Sequence, residues 1–161
     1  MNINFSNDFI DEGFFGSVFC IKNNRVIKLF KLPETKKDEE RYEKVFTSEV
    51  EAYEAIQSDS ELKAITPKFF GTVKVCNVLD NEKNDLTSKY KTNCAYIMSY
   101  EKGNFIKIKS PLVPKEEFNR IKKLFEKYGV EYIDDASVIL DENRKIKMVI
   151  DFAMKYYEAW Y

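Results

Sequence analysis

The chain has 161 residues, 44% of them hydrophobic and 33% charged, which excludes a disordered tail, a collagen-like fibre and a membrane channel. The 26 basic and 27 acidic residues nearly cancel, so charge makes no case for a nucleic acid or an acidic surface as partner. Histidine is absent, which removes the commonest general base, Ser-His-Asp and Cys-His nucleophile systems, and histidine-ligated zinc.

Residues 5–30 read as strands broken by short turns: FSNDFI, GSVFCIK and RVIKLFK. Asn23-Asn24 between the last two signals a hairpin, because asparagine tolerates positive φ. A charged stretch then runs into a helix over residues 38–56, with Val45, Val50, Tyr53 and Ile56 near helical spacing. KFFGTVKVCNVL and NCAYIMSY read as two further strands around a polar loop, DNEKNDLTSKYKT. Beyond Gly103 a connector is expected, then a second helix starting at Pro114, with Phe118, Ile121, Leu124 and Phe125 as its apolar stripe and Gly129 as its stop. SVIL and IKMVID form a last pair of strands about the charged turn DENRK. The order predicts an α+β fold, and the aromatic YYEAWY at residues 156–161 is expected to plug exposed core or to meet a partner.

Cys20, Cys76 and Cys94 are odd in number and lack CxxC spacing, so buried reduced thiols are expected. No secretion signal and no apolar run of roughly 20 residues is visible. The expectation is a cytoplasmic protein, of its own cell or of a host if injected, with no membrane association.

Five segments carry chemistry in a consistent order. Gly13-Phe14-Phe15-Gly16-Ser17-Val18 follows Asp11; its glycines allow close backbone approach to phosphates. Val26-Ile27-Lys28 lies in the next strand. Glu49 and Tyr53, four apart, share a face of the first helix. Met98, Ser99 and Glu101 lie at the close of the fifth strand. Asp151-Phe152-Ala153 ends the last strand, where a carboxylate offers a hard oxygen to Mg²⁺.

Together these segments resemble the protein kinase domain over residues 5–155. The resemblance implies a β-rich N-lobe at residues 1–102 with a glutamate-bearing helix, and a much reduced C-lobe at 103–161. It implies ATP and Mg²⁺ as cofactors. Gly13, Gly16 and Val18 would cover the nucleotide, and Lys28 would hold its phosphates and be oriented by Glu49. Met98, Ser99 and Glu101 would border the adenine, and Asp151 would hold the metal. The catalytic loop departs from the family pattern. Ser137 stands where the family has asparagine, as a second metal ligand, and Asp134 or Asp135 is the stand-in for the catalytic aspartate. Asp134 is only three residues from Ser137, so the loop is shortened.

The brevity of the chain is similar to that of the miniature kinase effectors of enteric bacteria. The implied function is transfer of the γ-phosphate to a protein hydroxyl, with a protein partner or substrate. The alternatives are a catalytically inactive pseudokinase serving as a nucleotide- or protein-binding module, and a small α+β adaptor.

Overall fold

The structure is a computed structural model and describes residues 1–155; the YYEAWY segment lies outside the described residues. The fold is α+β. Its described residues form two compact units, residues 1–47 with 69–100, and residues 48–68 with 101–155. No helix among the described residues is long and apolar enough to cross a membrane.

The first unit opens with β1 (Asn2–Asn4), α1 (Phe5–Asp8), β2 (Phe9–Glu12), β3 (Gly16–Ile21) and β4 (Arg25–Lys31). FSNDFI is therefore not one strand. Asn4 caps a helical turn by accepting the Asn7 N–H at 3.0 Å, and only Phe9 onward is extended. The short polar side chain competes for backbone donors, which strand alternation does not reveal. Asn23 and Asn24 turn the β3–β4 hairpin with φ of 64° and 56°, as the sequence predicts.

Helix α2 (Lys36–Ala55) begins in the first unit and ends in the second. Thr35 starts it, its Oγ accepting the Asp38 N–H at 3.1 Å. Strands β5 (Phe69–Val73), β6 (Asn77–Leu79) and β7 (Tyr90–Ser99) complete the first unit. The single strand expected across KFFGTVKVCNVL is thus two. β5 joins a five-stranded antiparallel sheet of order β2-β3-β4-β7-β5, while β6 pairs in parallel with β1.

Alternation on β4 separates two faces of that sheet. Ile27 and Leu29 enter a core with Ile3, Phe19, Val75, Val78, Tyr90 and Ala95. Val26, Lys28 and Phe30 point the other way, where Phe46 of α2 packs on Phe30 at 5.4 Å between ring centroids. Lys91 ties the helix to β7 through Glu39 at 2.6 Å and Glu43 at 2.5 Å, carboxylates one helical turn apart.

The second unit holds the end of α2, α3 (Ser60–Ala64), β8 (Ile106–Lys107), α4 (Lys115–Glu126), β9 (Ser137–Leu140) and β10 (Ile146–Ile150). The expected connector after Gly103 contains β8, which makes a three-stranded sheet of order β10-β9-β8. Pro114 is the residue before α4, with an extended ψ of 133°, and not its first turn. The α4 stripe buries Ile121 and Phe125 fully and half-buries Phe118 and Leu124; Glu117 is buried beside them. Its carboxylate accepts two Arg120 donors, at 2.9 and 3.1 Å, and the Ile146 N–H at 3.0 Å. Gly129 ends this segment with φ of 77°.

Candidate functional site

The residues singled out in the sequence divide between the units. Gly13, Gly16, Val18, Lys28, Met98 and Ser99 belong to the first; Glu49, Glu101, Asp134, Asp135, Ser137 and Asp151 belong to the second.

In the first unit, strand register gathers three of them. Val18 is opposite Lys28, Lys28 is opposite Tyr96, and Val26 is opposite Met98. Cross-strand partners share a face, so Val18, Lys28 and Met98 occupy one side of the sheet, the side of Phe30 and Phe46. The Lys28 ammonium stands 5.4 Å from the Phe30 ring centroid. Ser17 turns to the opposite face and meets the Tyr90 hydroxyl at 3.3 Å.

The two glycines differ in their reason for being glycine. The Gly13 N–H donates to the Gly16 carbonyl at 2.8 Å and closes a tight turn with Phe14 and Phe15 at its tip. A Cβ at Gly13 would find nothing nearer than 3.8 Å, whereas one at Gly16 would stand 2.8 Å from the Leu29 carbonyl oxygen. Close approach of β3 to β4 therefore demands glycine at 16. The space beside Gly13 is open to an incoming group. Lys31 braces the turn, donating to the Gly13 carbonyl at 2.8 Å and pairing with Glu12 at 3.1 Å.

In the second unit, Ser137 pairs with Ile150 on one side and Lys107 on the other. Asp151 follows Ile150 directly, so it and Ser137 are diagonal neighbours at the end of the ladder. Asp151 has φ of 63°, a left-handed conformation that few residues other than glycine, asparagine and aspartate adopt without cost. The next residue, Phe152, packs on Tyr53 at 4.6 Å and on Phe125 at 5.0 Å. Burial raises the Tyr53 hydroxyl pKa well above its ordinary value, and the carboxylates of Asp151, Glu49 and Glu101 act on it in the same direction. Glu49 is itself buried.

Asp134 and Asp135 lie in the loop before β9. Asp134 meets Lys109 at 3.3 Å and Lys122 at 3.8 Å, and its Oδ1 is buried with no hydrogen-bond donor among the described residues. Asp135 is more exposed and pairs with Lys107 at 3.1 Å. Glu131, Tyr132, Asp134 and Asp135 line a shallow depression. This loop is tied to the Asp151 segment, since Tyr132 and Ala153 exchange backbone hydrogen bonds at 3.0 and 3.1 Å.

Among the described residues no group of three or more Asp, Glu, Cys or His side chains is placed to hold one metal ion. Mg²⁺ characteristically takes one or two carboxylates and fills its octahedron with phosphate and water oxygens. The accessible Asp151 carboxylate offers one oxygen donor of that kind. Sequence reading missed Lys107, Lys109 and Lys122, which surround the two loop aspartates from β8, its flank and α4. Isolated lysines give no signal until the strands pair.

The expected buried thiols need correction. Cys94 is buried, Cys20 is half-buried and Cys76 is exposed. Cys76 lies just ahead of β6, where the chain leaves β5 for a separate sheet. The chain matches no protein-family profile, no curated protein and no solved structure.

Proposed function

We propose that the protein is a miniature kinase-like phosphotransferase that binds ATP and Mg²⁺ and transfers a phosphoryl group to a protein hydroxyl. The observation that supports this reading is the end of the β9–β10 ladder, where an exposed, left-handed Asp151 follows the Ile150–Ser137 pair at the close of an apolar strand. Bound Mg·ATP would supply the transferable γ-phosphoryl group and the neutralising charge of the metal.

The chain's own residues then have separate tasks. Lys28 would position phosphates from the sheet face it shares with Val18 and Met98. The open side of Gly13 would admit phosphate oxygens to the backbone, with Ser99 and Glu101 bordering the base. Asp151, with Ser137, would hold the metal. Asp134 would accept the hydrogen bond of the acceptor hydroxyl. Its undonated Oδ1 favours it over the exposed Asp135 for this task.

A second reading is a nucleotide-binding pseudokinase. The shortened loop and the serine at 137 favour it, because a hydroxyl is a poorer metal ligand than a carboxamide oxygen. So does the packing role of Gly16, which accounts for that glycine without any nucleotide.

Thermal unfolding with ATP, with and without Mg²⁺, tests both readings. A native-state ligand at 100 times its Kd adds about 2.7 kcal/mol, and Lys28→Ala should abolish that gain with the fold intact. A parallel assay of phosphate transfer, with and without added protein acceptors, separates them: ATP binding with no transfer under any condition leaves the pseudokinase. Absence of any nucleotide-dependent stabilisation defeats both.

A further inference from the structure

Arg41 lies on α2 within the first unit, and its side chain is only 8% exposed. Its Nη1 stands 3.9 Å from Asp38 Oδ1 on the same helix. Its Nε and Nη2 are buried and have no hydrogen-bond partner among the described residues. The guanidinium is 5.3 Å from the Phe15 ring centroid and 5.9 Å from that of Phe14, at the tip of the Gly13–Gly16 turn. Both rings also pack on Tyr42.

The two orphaned atoms are adjacent. Nε–H and one N–H of Nη2 form the side-on fork of a guanidinium, the edge that takes two oxygens of a single oxyanion in parallel. Arginine stays protonated, so burial cannot be relieved by neutralisation. Ring faces near the outer contact limit of about 6 Å answer part of the charge and neither of the in-plane donors. Leaving charged donors unpaired in a buried setting is among the costlier arrangements in a fold. Asp38 engages Nη1 alone and leaves the fork unused.

One ring beside this group is itself exposed. Phe14 is 63% exposed, and nothing lies within 3.8 Å of a Cβ position on neighbouring Gly13. Exposed side chains change rotamer in picoseconds to nanoseconds, so Phe14 can swing aside without unfolding of the sheet.

We propose that Arg41 is a phosphoryl-binding residue, its Nε–Nη2 fork taking two oxygens of a phosphate beneath the Phe14–Phe15 tip. A phosphoryl group carries up to two negative charges near neutral pH, against one for a carboxylate, and so competes better with Asp38 for the same guanidinium. The group comes either from free inorganic phosphate or from a nucleotide, and this site does not require that transfer occur.

The experiment uses the ¹⁵N-labelled full chain and follows the arginine Nε–H resonances, with Arg41 assigned from its absence in Arg41→Lys. Inorganic phosphate, Mg·ATP and adenosine are titrated separately, with chloride as the control at matched ionic strength. A saturable shift of the Arg41 resonance by phosphate or Mg·ATP, beyond that from chloride, is expected. Binding, measured by titration calorimetry of both proteins, should weaken about tenfold or more in Arg41→Lys, which keeps the charge and lacks the fork. A response to phosphate identifies the free ion as sufficient; a response to Mg·ATP alone identifies the nucleotide. If neither moves the resonance more than chloride, or if Arg41→Lys binds equally well, the proposal is overturned. Mg·ATP that binds nowhere on the protein defeats the nucleotide reading above, while the phosphate arm still decides the role of Arg41.

Discussion

The Ser48 hydroxyl is clamped to the backbone of Lys155: its Oγ accepts the Lys155 N–H at 2.9 Å and its proton goes to the Lys155 carbonyl at 3.2 Å. The Ser48 carbonyl also accepts the Met154 N–H at 3.1 Å. One residue of α2 thereby fixes the chain just after Asp151-Phe152-Ala153. Ser48→Ala removes both side-chain bonds and leaves the Lys155 groups to find water. We expect a loss of about 1–3 kcal/mol in chemical denaturation, with faster amide exchange at Lys155. Unchanged exchange there would show that the clamp does not hold this segment.

The backbone at Asp151 separates chemistry from strain. Asparagine tolerates a left-handed φ and alanine does not. Asp151→Asn should keep wild-type stability within about 0.5 kcal/mol and lose Mg²⁺-dependent nucleotide binding. Asp151→Ala should lose binding and also about 1 kcal/mol of stability. Nucleotide titrations beside denaturant midpoints read both, and Mg²⁺-dependent binding retained by Asp151→Asn would remove the metal role.

The glycines of the first turn are expected to respond oppositely. Gly16→Ala drives a Cβ against the Leu29 carbonyl, backbone that cannot step aside, and should cost about 1–3 kcal/mol. Gly13→Ala meets no such contact and should stay within about 0.5 kcal/mol of wild type. Its effect, if the turn faces phosphates, should appear as weaker ATP binding. Calorimetry of both variants with and without nucleotide checks the contrast.

Acid stability should depend on Glu117. The Arg120 guanidinium beside it holds its carboxyl below the ordinary value of 4.5, with further help from the Ile146 N–H. A carboxyl depressed in the folded state stabilises fully above its unfolded pKa, and that contribution is lost as pH falls through the folded value. Glu117→Gln should therefore cost about 1–3 kcal/mol at pH 7 and flatten the fall in stability below pH 4.5. Parallel wild-type and mutant stability curves from pH 7 to pH 3 would exclude this role.

The three thiols should react in an order set by exposure. Cys76 is exposed and Cys94 is buried, with desolvation pushing its pKa to about 11. The thiolate is the reactive form, so alkylation at pH 8 should modify Cys76 first and Cys94 only on unfolding. Mass mapping of a labelling time course measures this directly, and early modification of Cys94 would contradict its burial.

Local chemistry determines much of this protein without any tertiary contact. Two asparagines could only turn a hairpin; Val45, Val50, Tyr53 and Ile56 repeated at helical spacing, and all are buried. Asp151 is visible in the sequence as a carboxylate at the end of an apolar strand, whereas its left-handed φ of 63° is not. What depended on folding was whatever joins residues distant in sequence. The parallel β1–β6 pair, the placing of β8 beside Ser137 and the lysines around Asp134 are non-local pairings, and no window of sequence encodes them. At two positions burial adds what the sequence does not show. Gly16 is held to glycine by the strand opposite, and Arg41, one cation among 26 in the chain, is set apart by the rings that fold over it. A side chain's type is written locally, but the dielectric and the partners that decide its energy are supplied by residues far along the chain.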